Sequence, residues 1–246
     1  MARQKQRLSL GSSEIDAMLG GGFINGSAVL VRGAPGVGKT TLGLQFLMAG
    51  IKAGQRGLLV SFEEFPASLI RDAQLLGWDL KSLEQKGDLG IIFTSPQVFL
   101  ESLKQQTGPI SEKIDSLAPT RMVLDSVAHF QQFTRDPLEL REIYNTLVNA
   151  IKRQDSTVLL LDEAANIVQQ HDTDVAALPF LVDTVILLRY VEVNSTMQRA
   201  IAVMKMRGSS HQKEIRSFEI KNGGLALGPP FTGHTGILSG MSHRTA

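Results

Sequence analysis

A glycine-rich stretch near the start of the sequence has the chemistry of a phosphate-binding loop. The segment 28–44 reads AVLVRGAPGVGKTTLGL and fits G-x-x-x-x-G-K-[ST], with Gly33, Gly38, Lys39 and Thr40 at the defining positions. Glycines let backbone N–H groups curl around phosphate oxygens, and the positive end of the following helix points at the same anion. The lysine suits the β- and γ-phosphates, and the threonine hydroxyl suits Mg²⁺. The predicted nucleotide-binding residues are Gly33, Ala34, Pro35, Gly36, Val37, Gly38, Lys39, Thr40 and Thr41.

Hydrolysis of a bound nucleotide also requires a carboxylate on the Mg²⁺ side, and two apolar runs end in aspartate. RMVLDS leads to Asp125, and VLLLDE leads to Asp162. The strand at 57–61 already leads to another acidic pair, so we expect Asp125 to face Mg²⁺ from a strand next to the phosphate-loop strand. Asp162 would lie at the tip of a neighbouring strand, as a γ-phosphate sensor or a loop cap. Aspartate is also common wherever a strand meets a loop.

The other acidic pair is Glu63-Glu64, which follows the short apolar strand GLLVSF. The carboxyl edge of parallel strands is the edge where such sheets bind ligands. One glutamate is expected to orient the attacking water or accept its proton. Adjacent residues of an extended chain point opposite ways, so both are not expected to contact one water. A solvated acidic loop is the alternative.

A basic stretch near the C-terminus, KMRGSSHQKEIRSF, is the remaining candidate for chemistry. Lys205 and Arg207 are two residues apart, so on a strand they share one face. Three interpretations stay open on the residues alone. This face is a solvated edge strand that prevents aggregation, or its cations bind nucleic-acid phosphate, or they bind a nucleotide held by a neighbouring subunit.

Strands alternate with helices along most of the chain. The predicted strands are 27–32, 57–62, 90–94, 121–125, 157–161, 183–191, 199–206 and 217–220. The predicted helices are 39–53, 67–76, 137–154 and an interrupted segment within 96–117. Asn194-Ser195 indicates a hairpin. This order predicts an α/β fold with a doubly wound, mainly parallel sheet, helices on both faces and an antiparallel hairpin at one edge.

Length and composition favour one domain over residues 1–246, with a basic mobile arm at 1–7 and a loosely ordered tail at 228–246. The chain has 246 residues, no cysteine and a net charge of +1. No run approaches the roughly 18 apolar residues of a membrane span, and the N-terminus lacks the apolar run of a signal peptide. We therefore expect a cytoplasmic protein without a membrane partner, and the near-neutral charge argues against a strongly electrostatic nucleic-acid binder.

Taken together, these stretches resemble the KaiC-like ATPases of the RecA superfamily. The resemblance covers most of the chain from Leu8 to Ile220, as one family domain where the family's clock protein has two in tandem. The phosphate loop is shared by many families, whereas SFEE, LLRYVE and KMRGSSH are much more specific. The matching segments are 11–47, 58–80, 122–127 and 183–220.

The resemblance implies a ring, usually a hexamer, that binds ATP with Mg²⁺ at subunit interfaces. It implies that Glu63 and Glu64 are the catalytic glutamates and that Asp125 is the Walker B aspartate. It further implies cations that act in trans on the neighbour's nucleotide, which favours nucleotide phosphate over DNA as the ligand of the basic strand. These cations are Arg199, Lys205, Arg207 and His211.

The sequence departs from the family in the segment before Asp183-Thr184. In the autophosphorylating domain of the clock protein, adjacent Ser and Thr residues precede this position. Here 176–182 reads AALPFLV, without a hydroxyl group. We therefore expect ATP hydrolysis rather than autokinase activity.

Three functions remain open from the sequence. The first is a ring-forming ATPase that acts as a signalling or timing switch for a protein partner, with Lys39, Lys205 and Arg207 stabilising transition-state charge. The second is an ATP-gated assembly scaffold with negligible turnover. The third is a RecA-like DNA-binding protein, which the neutral to acidic loop at 166–174 (NIVQQHDTD) argues against.

Overall fold

The computed structural model of the protein describes residues 6–105, 107–163, 178–239 and 243–244. The strands are β1 (Arg7–Leu8), β2 (Phe23–Ile24), β3 (Ala28–Gly33), β4 (Gly57–Ser61), β5 (Leu89–Phe93), β6 (Arg121–Asp125), β7 (Thr157–Glu163), β8 (Thr184–Val193), β9 (Thr196–Met206), β10 (Arg216–Lys221), β11 (Gly224–Pro230), β12 (His234–Thr235) and β13 (His243–Arg244). The helices are α1 (Ser13–Met18), α2 (Lys39–Lys52), α3 (Pro66–Leu75), α4 (Leu80–Gln85), α5 (Pro96–Gln105), α6 (Pro109–Leu117), α7 (Pro137–Lys152) and α8 (Leu178–Leu181), with 3₁₀ helices at Val127–Gln132 and Ile237–Ser239.

Within the described residues, one sheet of nine strands forms the centre of the molecule. Its order is β11-β10-β9-β8-β3-β7-β6-β4-β5. The strands from β8 to β5 are parallel to their neighbours, whereas β9, β10 and β11 continue the sheet antiparallel. The predicted α/β fold with a hairpin at one side is therefore confirmed.

The strand beside β3 differs from the prediction. β7 pairs with β3 on one side and with β6 on the other, so β6 and its Asp125 are one strand further away than expected. The expectation that Asp125 lies on the strand next to the phosphate-loop strand is wrong. The physical reason is that both strands are apolar and buried, at Met122–Leu124 of β6 and Val158–Leu161 of β7, so their sequences do not determine which of them lies beside β3.

Two apolar layers cover the sheet, as alternation along each parallel strand requires. On β3, Val29 and Val31 face the layer that contains α1, α2, α3 and α4. Ala28 and Leu30 face the layer that contains α5, α6 and α7. Both faces are thus packed, and the carboxyl ends of the parallel strands are left to form a site.

Several local details go beyond the sequence prediction. The segment 96–117 forms two helices, and Gly108 with a φ of 96° separates them. β11 extends into the region expected to be a loose tail, since its last residues pair with β10. Arg7, expected in the mobile arm, pairs with Ile24, and its guanidinium donates to Leu19 O at 3.1 Å. None of the helices in the described ranges is long and apolar enough to cross a membrane.

Candidate nucleotide-binding site

The loop between β3 and α2 has the backbone that its glycines predict. Gly36 and Gly38 have φ values of 73° and 116°, which a side chain rarely permits. A Cβ on Gly33 would stand 2.5 Å from Leu188 O, so the close approach of β8 also requires glycine there. Gly38 caps α2, and the first N–H groups of this 14-residue helix therefore face the loop.

Lys39 occupies the first turn of α2 and is buried. Its ammonium group donates to Gly33 O and Ala34 O, at 3.0 Å each. Glu163 Oε1 at the end of β7 lies 3.5 Å from the same nitrogen. The lysine charge is therefore held inside the loop that it is predicted to serve.

Thr40 and Asp125 meet although their elements are distant in the chain. Thr40 Oγ1 donates to Asp125 Oδ2 at 2.7 Å. Burial raises the pKa of Asp125 to about 6, and the Thr40 hydrogen bond partly offsets this rise. A hydroxyl and a carboxylate oxygen side by side form the hard donor set that Mg²⁺ prefers.

Close packing of α2 on the sheet allows this contact across β7. A Cβ on Gly43 would stand 2.9 Å from Val123 of β6 and 3.3 Å from Leu161 of β7. Glycine at this position lets the helix lie directly against both strands. The N-terminal turn of α2 consequently reaches Asp125 even though β6 is not adjacent to β3.

The two glutamates lie at the end of β4, facing the loop. Ser61 Oγ donates to Glu64 O at 2.8 Å and accepts from Glu64 N at 3.1 Å, which fixes the turn. Burial, with the negative charges of Asp72 and Glu63, raises the pKa of Glu64. Both glutamates border a cavity of about 320 Å³. The residues that line it are Pro35, Gly36, Gly38, Lys39, Thr40, Thr41, Ser61, Glu63, Glu64, Asp125, Glu163 and Ile220.

Asp162 has a different environment from Asp125. Its Oδ2 accepts from Arg32 Nε at 2.8 Å, and both residues are buried directly opposite each other on β7 and β3. Burial raises the pKa of Asp162, and the Arg32 charge partly offsets it. Because Asp162 is held by this pair and is absent from the cavity wall, the geometry favours Asp125 at the Mg²⁺ position.

Sequence reasoning did not single out His129, which lies on the Val127–Gln132 helix. Its Nε2 is 3.1 Å from Glu63 Oε2. Gln132 Nε2 lies 3.2 Å from His129 Nδ1. A lone histidine 66 residues from its partner leaves no spacing signal in a single sequence.

The structure places Lys205 and Arg207 at the opposite end of the sheet from the loop. Lys205 pairs with Val185, which lies beside Leu30, three residues before Gly33 on β3. Three strand residues correspond to roughly 10 Å. The Lys205 ammonium donates to backbone carbonyls of residues 179 and 182, at 2.8 and 2.7 Å, and Arg207 donates to that of residue 180 at 2.8 Å. Neither cation meets the phosphate loop of its own chain.

Arg199 lies apart from these two cations. It pairs with Tyr190, beyond the row of Gly33 and Leu188, and its guanidinium lies 5.4 Å from the Tyr190 ring centroid. The Tyr190 hydroxyl donates to Gly36 O at 2.7 Å. Arg199 is therefore at the loop end of its own chain, unlike Lys205 and Arg207.

His211 belongs to the segment between β9 and β10. The next residue, Gln212, donates its backbone N–H to Met18 O of α1 at 2.9 Å. The loop at 166–174 and the start of the segment 176–182 lie outside the described residues.

Comparison with known proteins identifies the family of this chain. The family model for the KaiC ATPase matches residues 8–231. The chain belongs to the KaiC ATPase family. The match includes the phosphate loop, the glutamate pair, Asp125 and the basic strand, and it identifies the fold as RecA-like. ATP binding is thereby supported at the level of the family.

Three curated relatives illustrate the similarity of the KaiC-like chain. Circadian clock protein KaiC3 of a Synechocystis species is 36% identical over 240 residues, covering 98% of this chain and 47% of the relative. The circadian clock oscillator protein KaiC of a Picosynechococcus species is 32% identical, with 98% and 46% covered. KaiC of Parathermosynechococcus lividus is 34% identical, with 97% and 43% covered. The chain spans about half the length of these relatives.

Proposed function

We propose that the protein hydrolyses ATP at interfaces between its own copies in a ring, and that its nucleotide state is read by a protein partner. The observation that carries this proposal is that the charged groups expected to act on the nucleotide lie at two opposite ends of the sheet. Lys39, Thr40, Asp125 and the glutamate pair surround one cavity, whereas Lys205 and Arg207 lie at the far end of the sheet. Such a site is complete when a second copy supplies its cations.

The loop fits the phosphates of a nucleotide. The N–H groups at the start of α2 and the Lys39 ammonium supply positive charge on one side of the cavity. Carboxylates of Glu63, Glu64 and Asp125 supply negative charge on the other. The roles given to Gly33–Thr41 in binding follow from this arrangement.

Thr40 and Asp125 are the residues that would hold Mg²⁺. Their oxygens are 2.7 Å apart, and their donor types match this ion. Held by these two residues, Mg²⁺ would supply positive charge against the negative charge of the phosphates. Ionised Asp125 is required for this role.

We assign Glu63 and Glu64 to the water molecule that attacks the γ-phosphate. Both line the cavity at the end of β4, where a carboxylate can orient a water and accept its proton. Lys39 stabilises charge on the leaving side, and Lys205 and Arg207 of the neighbour, with His211, stabilise the transferred phosphoryl group. Arg199 lies at the loop end of the sheet but is absent from the wall of this cavity, so its action on a neighbour's nucleotide stays a prediction.

Complementation between two defective variants tests the trans arrangement. A Glu63→Gln, Glu64→Gln chain keeps its cations, and an Arg207→Ala chain keeps its glutamates. Mixing them in ATP forms interfaces at which one chain supplies the glutamates and the other supplies Arg207. We expect each variant alone to release little phosphate and the mixture to recover a fraction of the wild-type rate.

Mass measurement with ATP separates hydrolysis from assembly alone. A multimer that forms with ATP and releases phosphate supports the proposal. An ATP-dependent multimer without phosphate release identifies a scaffold instead. A monomer under all conditions, or a mixture as inactive as its components, contradicts the interface site.

A further inference from the structure

We propose that His129 is a positioning residue for hydrolysis, which holds the Glu63 carboxylate in the orientation that meets the attacking water. This inference rests on the role proposed for Glu63 above. His129 acts through Glu63 and lies outside the cavity wall itself. The rate of hydrolysis depends on how accurately the flexible Glu63 carboxylate is positioned relative to the attacking water.

Hydrogen bonding fixes which ring nitrogen of His129 carries hydrogen. The Gln132 amide nitrogen is a donor, and it lies 3.2 Å from His129 Nδ1. Nδ1 therefore accepts, and Nε2 carries the ring hydrogen, as the acceptor-only carboxylate of Glu63 also requires. Nε2 then donates to Glu63 Oε2 at 3.1 Å. Gln132, His129 and Glu63 form one directed chain that ends at the carboxylate.

The helix that carries His129 is firmly attached to the rest of the site. It begins two residues after Asp125, and Ser126 Oγ caps it by accepting from Ala128 N at 3.2 Å. The buried ring of Phe130 packs edge-on against Phe62, with centroids 5.4 Å apart. The position of His129 is therefore fixed relative to both β6 and β4.

Further support for this helix comes from α7. The hydroxyl of Tyr144 donates to Val127 O at 3.2 Å, and the Tyr144 ring lies 6.3 Å from that of Phe130. The first residue of the helix and its central aromatic are thus both anchored to a buried tyrosine.

Glu63 by itself lacks comparable restraint. Its side chain is 64% exposed, whereas that of His129 is 25% exposed. An exposed glutamate samples several rotamers, and each rotamer moves the carboxylate by more than a hydrogen-bond length. The hydrogen bond from the fixed histidine selects one of them. Glu64 differs, because its backbone is bound by Ser61 and burial raises the pKa of its carboxyl.

Phosphate release under steady-state conditions tests the proposal with four variants. His129→Ala should lower kcat about tenfold and leave KM for ATP within about twofold, since the histidine touches Glu63 and not the nucleotide. His129→Gln should restore most of the rate, because its amide can donate to the same oxygen. Gln132→Ala should have a smaller effect of about threefold. Exposed Arg135, in the loop that follows, gives the matched control Arg135→Ala with wild-type kinetics.

A double-mutant comparison shows whether His129 works through Glu63. Adding His129→Ala to a Glu63→Gln chain should cause no further loss, because the group to be positioned is already gone. A further tenfold loss in that background would overturn the proposal. So would a wild-type kcat for His129→Ala, or a loss in His129→Gln as large as in His129→Ala.

The Glu63→Gln chain alone separates this proposal from the proposed function. If wild type hydrolyses ATP and Glu63→Gln is equally active, the catalytic role of Glu63 fails and the positioning proposal fails with it. If Glu63→Gln is inactive and His129→Ala is fully active, the hydrolysis mechanism stands and the positioning role alone is wrong. Thermal unfolding of each variant confirms that the chain still folds.

Discussion

The two ends of the central sheet hold their charged groups in different ways. At the end where the parallel strands finish, two hydrogen bonds join side chains to carboxylates: Thr40 donates to Asp125, and His129 donates to Glu63. These contacts join elements far apart in the chain and surround one cavity. Charge is concentrated there and oriented toward a ligand.

At the opposite end, the two cations of the basic strand bind backbone carbonyls, while Lys152 pairs with the Asp183 carboxylate at 2.7 Å. Lys205 and Arg207 donate to carbonyls of residues 179, 180 and 182. Burial, with the charge of Arg207, lowers the pKa of Lys205. This difference supports the proposed arrangement, in which one end of the sheet holds the nucleotide and the other end completes the site of a neighbouring copy.

The largest expected effect comes from removing the carboxylates at the loop end. The Glu63→Gln, Glu64→Gln chain should bind ATP but lose at least about 100-fold in phosphate release, since no group accepts the proton of water. Phosphate release and binding of a fluorescent ATP analogue measure the two properties. The exposed Glu112→Gln on α6 is the control. Undiminished turnover would remove the glutamates from the mechanism.

A large effect on stability is expected at the buried ion pair beside the site. Asp162→Ala takes the carboxylate away from buried Arg32 and should cost about 3 kcal/mol of unfolding free energy. Chemical denaturation measures the loss. Replacing both partners, by Arg32→Met with Asp162→Leu, should recover much of it. If the double variant is no more stable than Asp162→Ala, burial of a single charge is not the cause.

The charge at the Mg²⁺ position should itself lower stability in nucleotide-free protein. Burial raises the pKa of Asp125 to about 6, above its usual 3.8. The folded protein therefore binds this proton more tightly than the unfolded chain, so unfolding free energy falls as pH rises from about 4 to about 6.

The neutral Asp125→Asn isolates this contribution. It should be about 3 kcal/mol more stable than wild type at pH 7, and most of the difference should be gone near pH 4. Denaturation at both pH values, without Mg²⁺, measures it. A pH-independent difference would show that ionisation of Asp125 is not responsible.

Much of the fold and part of the site could be predicted from the sequence. The phosphate loop is recognisable because phosphate geometry fixes its glycine, lysine and threonine spacing. The parallel strands are recognisable as apolar runs. Their order is not, because RMVLD on β6 and TVLLL on β7 are equally suited to a buried strand.

Contacts between distant residues account for what could not be predicted. Arg32 and Asp162 are 130 residues apart, and Glu63 and His129 are 66 apart. Each depends on which strands become neighbours and on how a loop follows a strand end. From the sequence alone, Asp162 and Glu163 therefore resemble a second metal site. The structure shows instead that Asp162 pairs with the buried Arg32 on the neighbouring strand.

The smallest expected effect on stability is at Lys205, at the end of the sheet opposite the phosphate loop. Lys205→Met removes two partly buried hydrogen bonds from the amine to backbone carbonyls, so it should cost about 1 kcal/mol. The same change should reduce phosphate release in the assembled protein and leave ATP binding by a single chain unchanged, because this cation is distant from its own loop. A loss of ATP affinity in the single chain would instead mean that Lys205 supports its own nucleotide site through the sheet.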